Sequence, residues 1–510
     1  MAMFTAWLSS SLGVDEDIAG ALLSTTLFIV GLFVVDGLVH RDQKTRGRRA
    51  LSFNSSCMLS TFPPKAKVCQ PIVNVLLLFE EGCPSEDDLR ALVSSKLFVY
   101  DRFRQGVVNN SFVDLDEQGK VFISTCSVET EVALMAKVEE VCNADLHPAC
   151  YRGERPMWCI ERIESGRGLN AVLFRIHHVL GDGVALINSM SQLFTYADGT
   201  PLDLKIAEQM SGGKVKGQGA TRSIWATCWD VLYSFFAVLY IAVSRYDSDT
   251  AFSPAGKSAL AMTSSRKIVL VPSMRLGFIK RLKEAAGVTV NDVIMSVTTG
   301  ALHRYCIKHG DVLGATTRSR ALVPVAFPRP AKELANVGLA LRNLWAFASI
   351  ALPLAEPTPG QRLKACSKTT GAMKQSAMVG VQLWVQSNLL PLLPRFLQQK
   401  TAHDVFSRHT LVFSNLPGPS APCHLCKQKL VAVHAIFPNI IPQAIVLSYG
   451  QEIFFNLTLD PAVVPDSDDF KTMIVDELRE LARELGVSAG DGDVEMLSLT
   501  SGGQQFGVVQ

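Results

Sequence analysis

The chain has a long uncharged stretch near its start. Residues 18–35, IAGALLSTTLFIVGLFVV, form 18 consecutive positions without a charge. As an α-helix this stretch would extend roughly 27 Å, close to the about 30 Å hydrocarbon core of a bilayer. The pattern predicts a transmembrane helix over residues 18–38, within an N-terminal anchor formed by residues 1–50. A buried core helix is the alternative.

The charges on either side of this stretch indicate its orientation. Residues 1–17 contain no lysine or arginine and carry three acidic residues, whereas five basic residues follow between positions 41 and 49. A cleaved signal peptide would need basic residues ahead of its apolar run, so this pattern does not favour one. The positive-inside rule places the N-terminus outside and everything beyond residue 40 in the cytosol.

A second apolar run covers residues 224–244. Asp230 interrupts it and leaves 14 uncharged residues, too few to span a bilayer. Thr227, Asp230 and Ser234 recur at helical spacing, so a helix here would carry one narrow polar stripe. The run is also rich in tryptophan and tyrosine, which favour the membrane interface. We predict a helix that lies on or dips into the membrane; a buried inter-domain helix is the alternative.

The region between these runs, residues 55–210, alternates between strand and helix patterns. The segment ESGRG is a turn signal between two apolar runs and predicts an antiparallel hairpin. His177 and His178 end the second strand of this hairpin, and residues at helical spacing follow. Three strands and one N-capped helix are predicted, namely strands at 69–80, 156–163 and 169–178 and a helix at 85–95.

The second half, residues 263–487, repeats the mixed pattern after a linker at 211–262. It predicts strands, glycine-terminated helices and a hairpin that turns at Gly450. The tail, residues 488–510, is polar and glycine-rich and is predicted to be disordered. Predicted elements of this half are strands at 266–273 and 320–327, helices at 277–287, 290–310 and 466–486, and the hairpin at 443–460. The interleaving predicts a mixed α/β (α+β) fold and argues against a doubly wound parallel sheet.

Composition adds three constraints. A net charge of +2 gives no reason to expect a nucleic-acid partner. A hydrophobic content of 48% and a mean hydropathy of +0.21 point toward lipid or membrane. The 12 cysteines are scattered, which indicates reduced thiols in a cytosol-facing protein. Cys423 and Cys426 have C-x-x-C spacing but no second pair, so no metal site is predicted.

The segment FRIHHVLGDGVALI, residues 174–187, concentrates the candidate chemistry. A neutral histidine can accept a proton at cellular pH, and a well-held general base contributes about 10²–10⁴ in rate. The end of a buried strand would hold His178 rigidly. Asp182 can accept hydrogen bonds or pair with an arginine, and Gly183 permits close approach of a substrate. From the residues alone, a strand-terminal histidine could equally be structural. No G-x-S-x-G lies near the histidines, and H-E-x-x-H is absent from the sequence, which argues against a serine hydrolase and a zinc protease.

The histidine segment resembles the HHxxxDG motif of the wax ester synthase/diacylglycerol acyltransferase family. The resemblance continues in the family's order over roughly residues 68–487. RPMWCIERI is similar to the PLW segment, with Met157 in place of leucine, and VNDVIMSVTTGALHRY is similar to the Asn-Asp helix. RALVPVAF, VFSNLPGP and LSYGQEIFFNLTLD resemble later motifs. The departures are the anchor, the apolar linker and the tail.

The resemblance implies a chloramphenicol-acetyltransferase-like architecture, in which two mixed α/β lobes meet around a tunnel. His178 would be the general base, and Asp182 would hold the motif loop, bonded to an arginine. His177 would be a packing or positioning residue, and Gly183 is the glycine of the motif. Three further residues are candidates for contact with the substrate. Asn291 and Ser414 would orient the substrate or the oxyanion, and Trp158 would be a tunnel or core residue.

The implied function is a membrane-bound O-acyltransferase that makes wax esters, triacylglycerol or both. Its partners would be acyl-CoA as co-substrate without a further cofactor, a long-chain fatty alcohol or diacylglycerol, and a bilayer. The endoplasmic reticulum is the expected membrane, with the lobes facing the cytoplasm; lipid droplets and plastids are alternatives. Two other functions remain open: a condensation-type acyltransferase, which shares HHxxxDG, and a non-catalytic lipid-binding protein of the same fold.

Overall fold

The computed structural model describes residues 49–60, 69–115, 119–166, 168–202, 224–253, 263–327, 329, 331–490 and 492–495. The predicted transmembrane helix, residues 18–38, the basic linker segment, residues 211–222, and most of the predicted disordered tail lie outside these ranges. Within the described ranges, no single helix is long and apolar enough to cross a bilayer. One pair of adjacent helices reaches that length together, but it is bent by 96°.

The described chain alternates between strands and helices throughout, which confirms the predicted mixed α/β fold. The strands are β1 Arg49–Ala50, β2 Ile72–Phe79, β3 Gln105–Val108, β4 Ser111–Asp114, β5 Ile123–Val128, β6 Trp158–Ser165, β7 Asn170–His177, β8 Phe194–Thr195, β9 Lys267–Leu270, β10 Ser273–Arg275, β11 Arg320–Ala326, β12 Trp345–Ala351, β13 Leu411–Leu416, β14 His424–Leu425, β15 Gln428–Ile436, β16 Gln443–Tyr449, β17 Glu452–Leu459 and β18 Val494–Glu495. The helices are α1 Phe53–Ser60, α2 Glu86–Lys96, α3 Asp101–Arg104, α4 Glu131–Asn143, α5 Pro148–Tyr151, α6 Gly183–Met190, α7 Ile224–Ile241, α8 Leu276–Ala286, α9 Val290–Lys308, α10 Ala331–Leu334, α11 Val337–Ala340, α12 Pro359–Gln375, α13 Met378–Asn388, α14 Arg395–Ser407 and α15 Asp469–Glu484. Two short 3-10 helices span Ser191–Leu193 and Leu390–Leu392.

The N-terminal lobe is built on a seven-stranded sheet in the order β5-β6-β7-β2-β15-β14-β8. The predicted hairpin is confirmed, because β6 and β7 pair antiparallel with Trp158 opposite Ile176. The predicted cap of α2 is also confirmed, since Ser85 accepts a hydrogen bond from the Asp88 backbone. Two strands of this sheet, β14 and β15, come from the second half of the chain. The two halves are therefore joined through a shared sheet.

The C-terminal lobe is built on a second sheet in the order β12-β11-β13-β16-β17-β10-β18, with β9 also pairing with β17. The predicted hairpin of β16 and β17 is confirmed, and its turn places Gly450 at a φ of +61°, which glycine adopts without strain. The predicted helices α8, α9 and α15 are confirmed as well. The sequence also predicts a buried stripe on α15 at Phe470, Ile474, Leu478, Leu481 and Leu485; the first four are buried and Leu485 is half-buried, so this helix covers the core of the lobe.

Helix α7 turns Asp230 and Ser234 of its polar stripe inward, whereas Thr227 is exposed and the apolar surface faces outward. Asp230 accepts a hydrogen bond at 3.1 Å from the Ala377 backbone nitrogen, at the start of α13, and Ser234 is fully buried. The exposed large side chains of this segment are Trp225, Trp229, Val231, Leu232, Tyr233, Phe236, Leu239, Tyr240 and Val243. The alternative of a buried inter-domain helix is therefore wrong, and the helix presents an unusually apolar face.

Candidate active site

His178 lies where the motif loop meets the second lobe, at a cavity of about 420 Å³. Strand β7 ends at His177. The backbone nitrogen of the next residue, His178, donates to the Pro71 carbonyl oxygen at 2.8 Å, and this hydrogen bond fixes the position of His178. The His178 ring borders the cavity and packs against Phe437 and Trp345, with ring centroids 5.8 and 6.4 Å away. A histidine held between two lobes at the wall of a cavity can act on a ligand inside it.

Asn343 determines which ring nitrogen of His178 carries the proton. Its Nδ2 donates to the His178 carbonyl oxygen at 2.9 Å and to Ser55 Oγ at 3.0 Å. Its Oδ1 is therefore the end that faces the ring, 3.1 Å from Nδ1. An amide oxygen only accepts, so Nδ1 must donate. Nε2, across the ring, keeps the lone pair.

The surroundings of His178 favour the neutral ring. Burial lowers its pKa below the ordinary value of 6.5, while the Asp182 charge, the His178 backbone and the Asn343 side chain oppose this shift. Because the lowering effect is larger, the ring remains unprotonated at neutral pH. His178 therefore has the protonation state that a general base requires.

His177 points to the other side of the strand, because successive strand residues alternate. It is fully buried in the N-terminal lobe, where the Val179 backbone nitrogen donates to its Nδ1 at 3.2 Å. Its ring packs edge-on against Tyr151, with centroids 6.3 Å apart, and burial lowers its pKa to about 3. It does not line the cavity. This is the environment expected of the packing residue that the motif implied.

Asp182 ties the motif loop to the second lobe. Its Oδ1 caps α6 by accepting from the Ala185 backbone nitrogen at 2.9 Å. Its Oδ2 accepts from the Leu344 backbone nitrogen at 2.7 Å and forms a short ion pair with Arg329. Both side chains of the pair are almost completely buried. Arg329 also donates to the Ala340 and Arg342 carbonyls, so one buried pair fixes the loop against the segment that carries Asn343.

The other predicted residues fall into two groups. Gly183 and Ser414 both line the cavity, and a Cβ atom at Gly183 would lie 3.2 Å from Leu416. Asn291 is exposed and is not among the lining residues; it accepts a short hydrogen bond from Asn415, which does line the cavity. The cap of α9 is Thr289. Ser414 is therefore placed to contact a ligand, and Asn291 can act only through Asn415.

Of the two positions expected for Trp158, the structure shows the core: the side chain is buried and does not line the cavity, so the alternative of a tunnel residue is wrong. Its indole nitrogen donates to the Phe103 carbonyl oxygen at 2.8 Å, and its ring packs edge-on against the Phe103 ring. A tryptophan on the buried face of β6 satisfies its one donor within the lobe. It therefore has no atom left to offer a substrate.

The sequence analysis missed two residues that complete the site, Asn343 and Arg329. Asn343 is separated from His178 by 165 positions, and Arg329 from Asp182 by 147. No local pattern marks either residue, since an asparagine in LRNLW and an arginine in FPRP are ordinary loop residues. The expectation of an arginine partner for Asp182 was the only available signal.

Family comparisons agree with this geometry. The model of the wax ester synthase/diacylglycerol acyltransferase catalytic domain matches residues 136–294, and that of the WS/DGAT C-terminal domain matches residues 342–482. The first match contains the histidine motif and the second contains Asn343. Together they cover more than half of the 510 residues.

Individual relatives are distant. Wax ester synthase/diacylglycerol acyltransferase 5 of Arabidopsis thaliana is 23% identical, over 73% of this chain and 83% of its own length. O-acyltransferase WSD of Acinetobacter baylyi is 25% identical, over 61% of this chain and 68% of its own length. A Mycobacterium tuberculosis protein that carries a diacylglycerol O-acyltransferase name is 24% identical, and the match spans 64% of its length.

Solved structures share the fold. The wax ester synthase/diacylglycerol acyltransferase from Marinobacter aquaeolei VT8 superposes with a TM-score of 0.58 at 21% identity, covering 86% of this chain and all of that one. The first condensation domain of the calcium-dependent antibiotic synthetase gives a TM-score of 0.55 at 13% identity, covering 89% of this chain and all of that one. At these identities the likeness concerns the two-lobed fold alone.

Proposed function

Because the chain belongs to the wax ester synthase/diacylglycerol acyltransferase family, we propose that it is an acyl-CoA-dependent O-acyltransferase. It transfers a long-chain fatty acyl group to the hydroxyl of a fatty alcohol or a diacylglycerol, and it uses acyl-CoA as co-substrate without a further cofactor. The observation that carries the proposal is the pairing of His178 Nδ1 with Asn343 Oδ1. This pairing leaves Nε2 as a base for a ligand in the cavity.

The proposed reaction uses one proton carrier. His178 Nε2 takes the proton of the acceptor hydroxyl while the oxygen attacks the thioester carbonyl carbon. The tetrahedral intermediate then collapses, the carbon–sulfur bond breaks, and the protonated Nε2 returns its proton to the leaving thiolate. The products are the ester and free CoA. Ser414, at the cavity wall, is the candidate donor for the oxyanion, with Asn291 supporting Asn415 beside it.

The test of this function is acceptor-dependent release of CoA. The full chain, purified in detergent, is supplied with palmitoyl-CoA and either hexadecanol or dioleoylglycerol, and both free thiol and ester product are measured. We expect one ester for each thiol, and little thiol without an acceptor. Thiol release without ester would indicate a hydrolase, and no turnover with either acceptor would favour the non-catalytic alternative.

Helix α7 supports a membrane-bound enzyme. Its outward face carries Trp225 and Trp229, which are 77% and 69% exposed, and it packs on α13, where Trp384 is also exposed. Aromatic residues of this kind favour the boundary between water and lipid. We propose that this face rests on the bilayer to which residues 18–38 anchor the chain. Long-chain substrates, which are insoluble in water, would then be supplied at the protein surface.

This arrangement gives a fluorescence prediction in proteoliposomes that contain brominated phosphatidylcholine. The double variant Trp225→Phe/Trp229→Phe should show a smaller quenched fraction of tryptophan emission than the wild type, because it lacks two emitters next to lipid. The variant Trp158→Phe should show a larger quenched fraction, because it lacks a buried emitter. Equal quenched fractions in the wild type and the double variant would contradict a bilayer-facing α7.

The proposed location is the endoplasmic reticulum membrane, or that of lipid droplets or plastids, with both lobes in the cytoplasm. Three N-glycosylation sequons bear on this orientation. Asn54 and Asn456 are buried in the folded lobes, whereas Asn109 is exposed in the turn between β3 and β4. A glycan at Asn109 in a eukaryotic host would place the lobes on the other side of the membrane.

A further inference from the structure

The cavity at His178 has a polar wall that the proposed acyl transfer does not explain. The motif loop and strands β12 and β13 line the part where the chemistry is proposed to occur. Helices α13 and α14 also line the cavity, and they contribute four polar side chains: Gln382, Gln386, Gln398 and Thr401. A cavity that held only hydrocarbon beside these helices would be lined there by apolar side chains.

Two of these side chains lack partners for a buried oxygen. Gln382 and Gln386 are four residues apart on α13 and therefore lie on the same helix face. Among the described residues, neither Oε1 atom has a hydrogen-bond partner, although both atoms are buried and Gln386 as a residue is only 6% exposed. Buried amides are nearly always hydrogen-bonded in folded proteins. Two unpaired amide oxygens on one cavity wall therefore point to polar groups of a ligand.

The two candidate acceptors differ in what they could offer these amides. A fatty alcohol has one polar group, the hydroxyl that must reach His178 Nε2, and the rest of the molecule is hydrocarbon. A diacylglycerol has two ester groups within a few bonds of its hydroxyl. Rotation about the last side-chain torsion of glutamine exchanges its oxygen and its NH₂ group, so each amide can donate to an ester carbonyl.

On the basis of the proposed acyl transfer, we infer that Gln382 and Gln386 form an ester-binding subsite for a diacylglycerol acceptor. The subsite holds the glyceride esters on α13 while the free hydroxyl lies at His178 in the same cavity. α13 is also the helix on which α7 packs, so one helix connects the subsite to the element proposed to rest on the bilayer. The chain is thereby assigned to glyceride acylation in preference to wax ester formation.

The test compares two acceptors in the full-length protein. Methionine has nearly the volume of glutamine but no amide, so Gln382→Met/Gln386→Met removes the hydrogen bonds and keeps the packing. With dioleoylglycerol the double variant should lose about 10- to 100-fold in kcat/KM, as expected for two hydrogen bonds. With hexadecanol it should stay within about twofold of the wild type, which also verifies the fold. Gln399→Met, on α14 but outside the cavity lining, is the matched control and should change neither value.

Three results would overturn the subsite. An equal loss with both acceptors would mean that the amides shape the tunnel. A raised KM for palmitoyl-CoA with both acceptors would mean that they bind the amides of the CoA arm. Unchanged turnover of dioleoylglycerol would mean that they are satisfied by water.

A binding readout separates this inference from the proposed function. The wild type and the double variant are each irradiated with a photoreactive diacylglycerol in the absence of acyl-CoA. Labelling of the wild type that falls at least tenfold in the double variant supports the subsite even in a chain that turns over neither acceptor. Equal labelling of the two proteins contradicts it, whatever the activity.

Discussion

Replacing His178 with alanine is expected to reduce kcat/KM for palmitoyl-CoA and hexadecanol by on the order of 10³, within the range of 10²–10⁴ that a positioned general base supplies. The variant lacks the imidazole that borders the cavity and whose Nε2 is left by Asn343 to accept a proton. The fold should persist, because the side chain contributes one hydrogen bond, about 1 kcal/mol. The measurements are the initial rate of ester formation as a function of palmitoyl-CoA concentration, which gives kcat/KM, and the melting temperature.

The matched control for this prediction is His309→Ala. His309 is exposed at the end of α9, where its ring packs on Tyr305, and it does not line the cavity. The variant His309→Ala should retain wild-type turnover. Wild-type turnover in His178→Ala would show that this residue does not transfer the proton. A fall in melting temperature large enough to account for the lost activity would mean that the loss is structural.

Replacing Asp182 with alanine is expected to produce the largest loss of stability among the site residues. The change leaves the Arg329 charge buried without its partner and removes the cap of α6. Breaking a buried ion pair from one side costs about 3–5 kcal/mol. The melting temperature in detergent should fall by about 3–5 °C. Activity at low temperature should survive in part, because Asp182 positions the loop and its oxygens are bound to protein groups.

Two further variants separate charge burial from other effects. Asp182→Asn/Arg329→Met removes both charges, so it should recover part of the stability that Asp182→Ala loses. Glu154→Ala breaks the exposed ion pair with Arg152 and should leave the melting temperature unchanged. If Asp182→Ala had the same melting temperature as the wild type, the buried ion pair would not be holding the two lobes together at the motif loop.

Local patterns predicted the parts of the site that are close in sequence. The turn signal between β6 and β7, the apolar run of β7 and the helical spacing after Asp182 placed the histidines at a strand end and the aspartate before a helix. Each of these features depends on neighbouring residues. The same local reasoning predicted the polar stripe of α7 and the buried stripe of α15.

Long-range pairings could not be predicted in this way. Nothing in residues 424–436 indicates that β14 and β15 complete the sheet of the other lobe, because a buried strand has the same pattern in either sheet. The inward direction of the α7 stripe depends on Asp230 meeting the start of α13, which is 147 residues away in the chain. Asn343 belongs to the same class, since its amide acquires a role only when folding brings it to His178.

The measurement that tests the central claim most directly is the pH dependence of kcat/KM in the wild type and in Asn343→Asp. In the wild type, burial lowers the His178 pKa, so activity should hold down to about pH 6.5 and fall only below it, as Nε2 becomes protonated. In Asn343→Asp, a carboxylate faces Nδ1 and stabilises the charged ring, so the acidic fall should move to higher pH whatever the absolute rate. Two results would contradict the claim that His178, held by Asn343, is the base. One is a loss of kcat/KM at the same acidic pH in both proteins, and the other is a loss of kcat/KM that begins above pH 6.5 in the wild type.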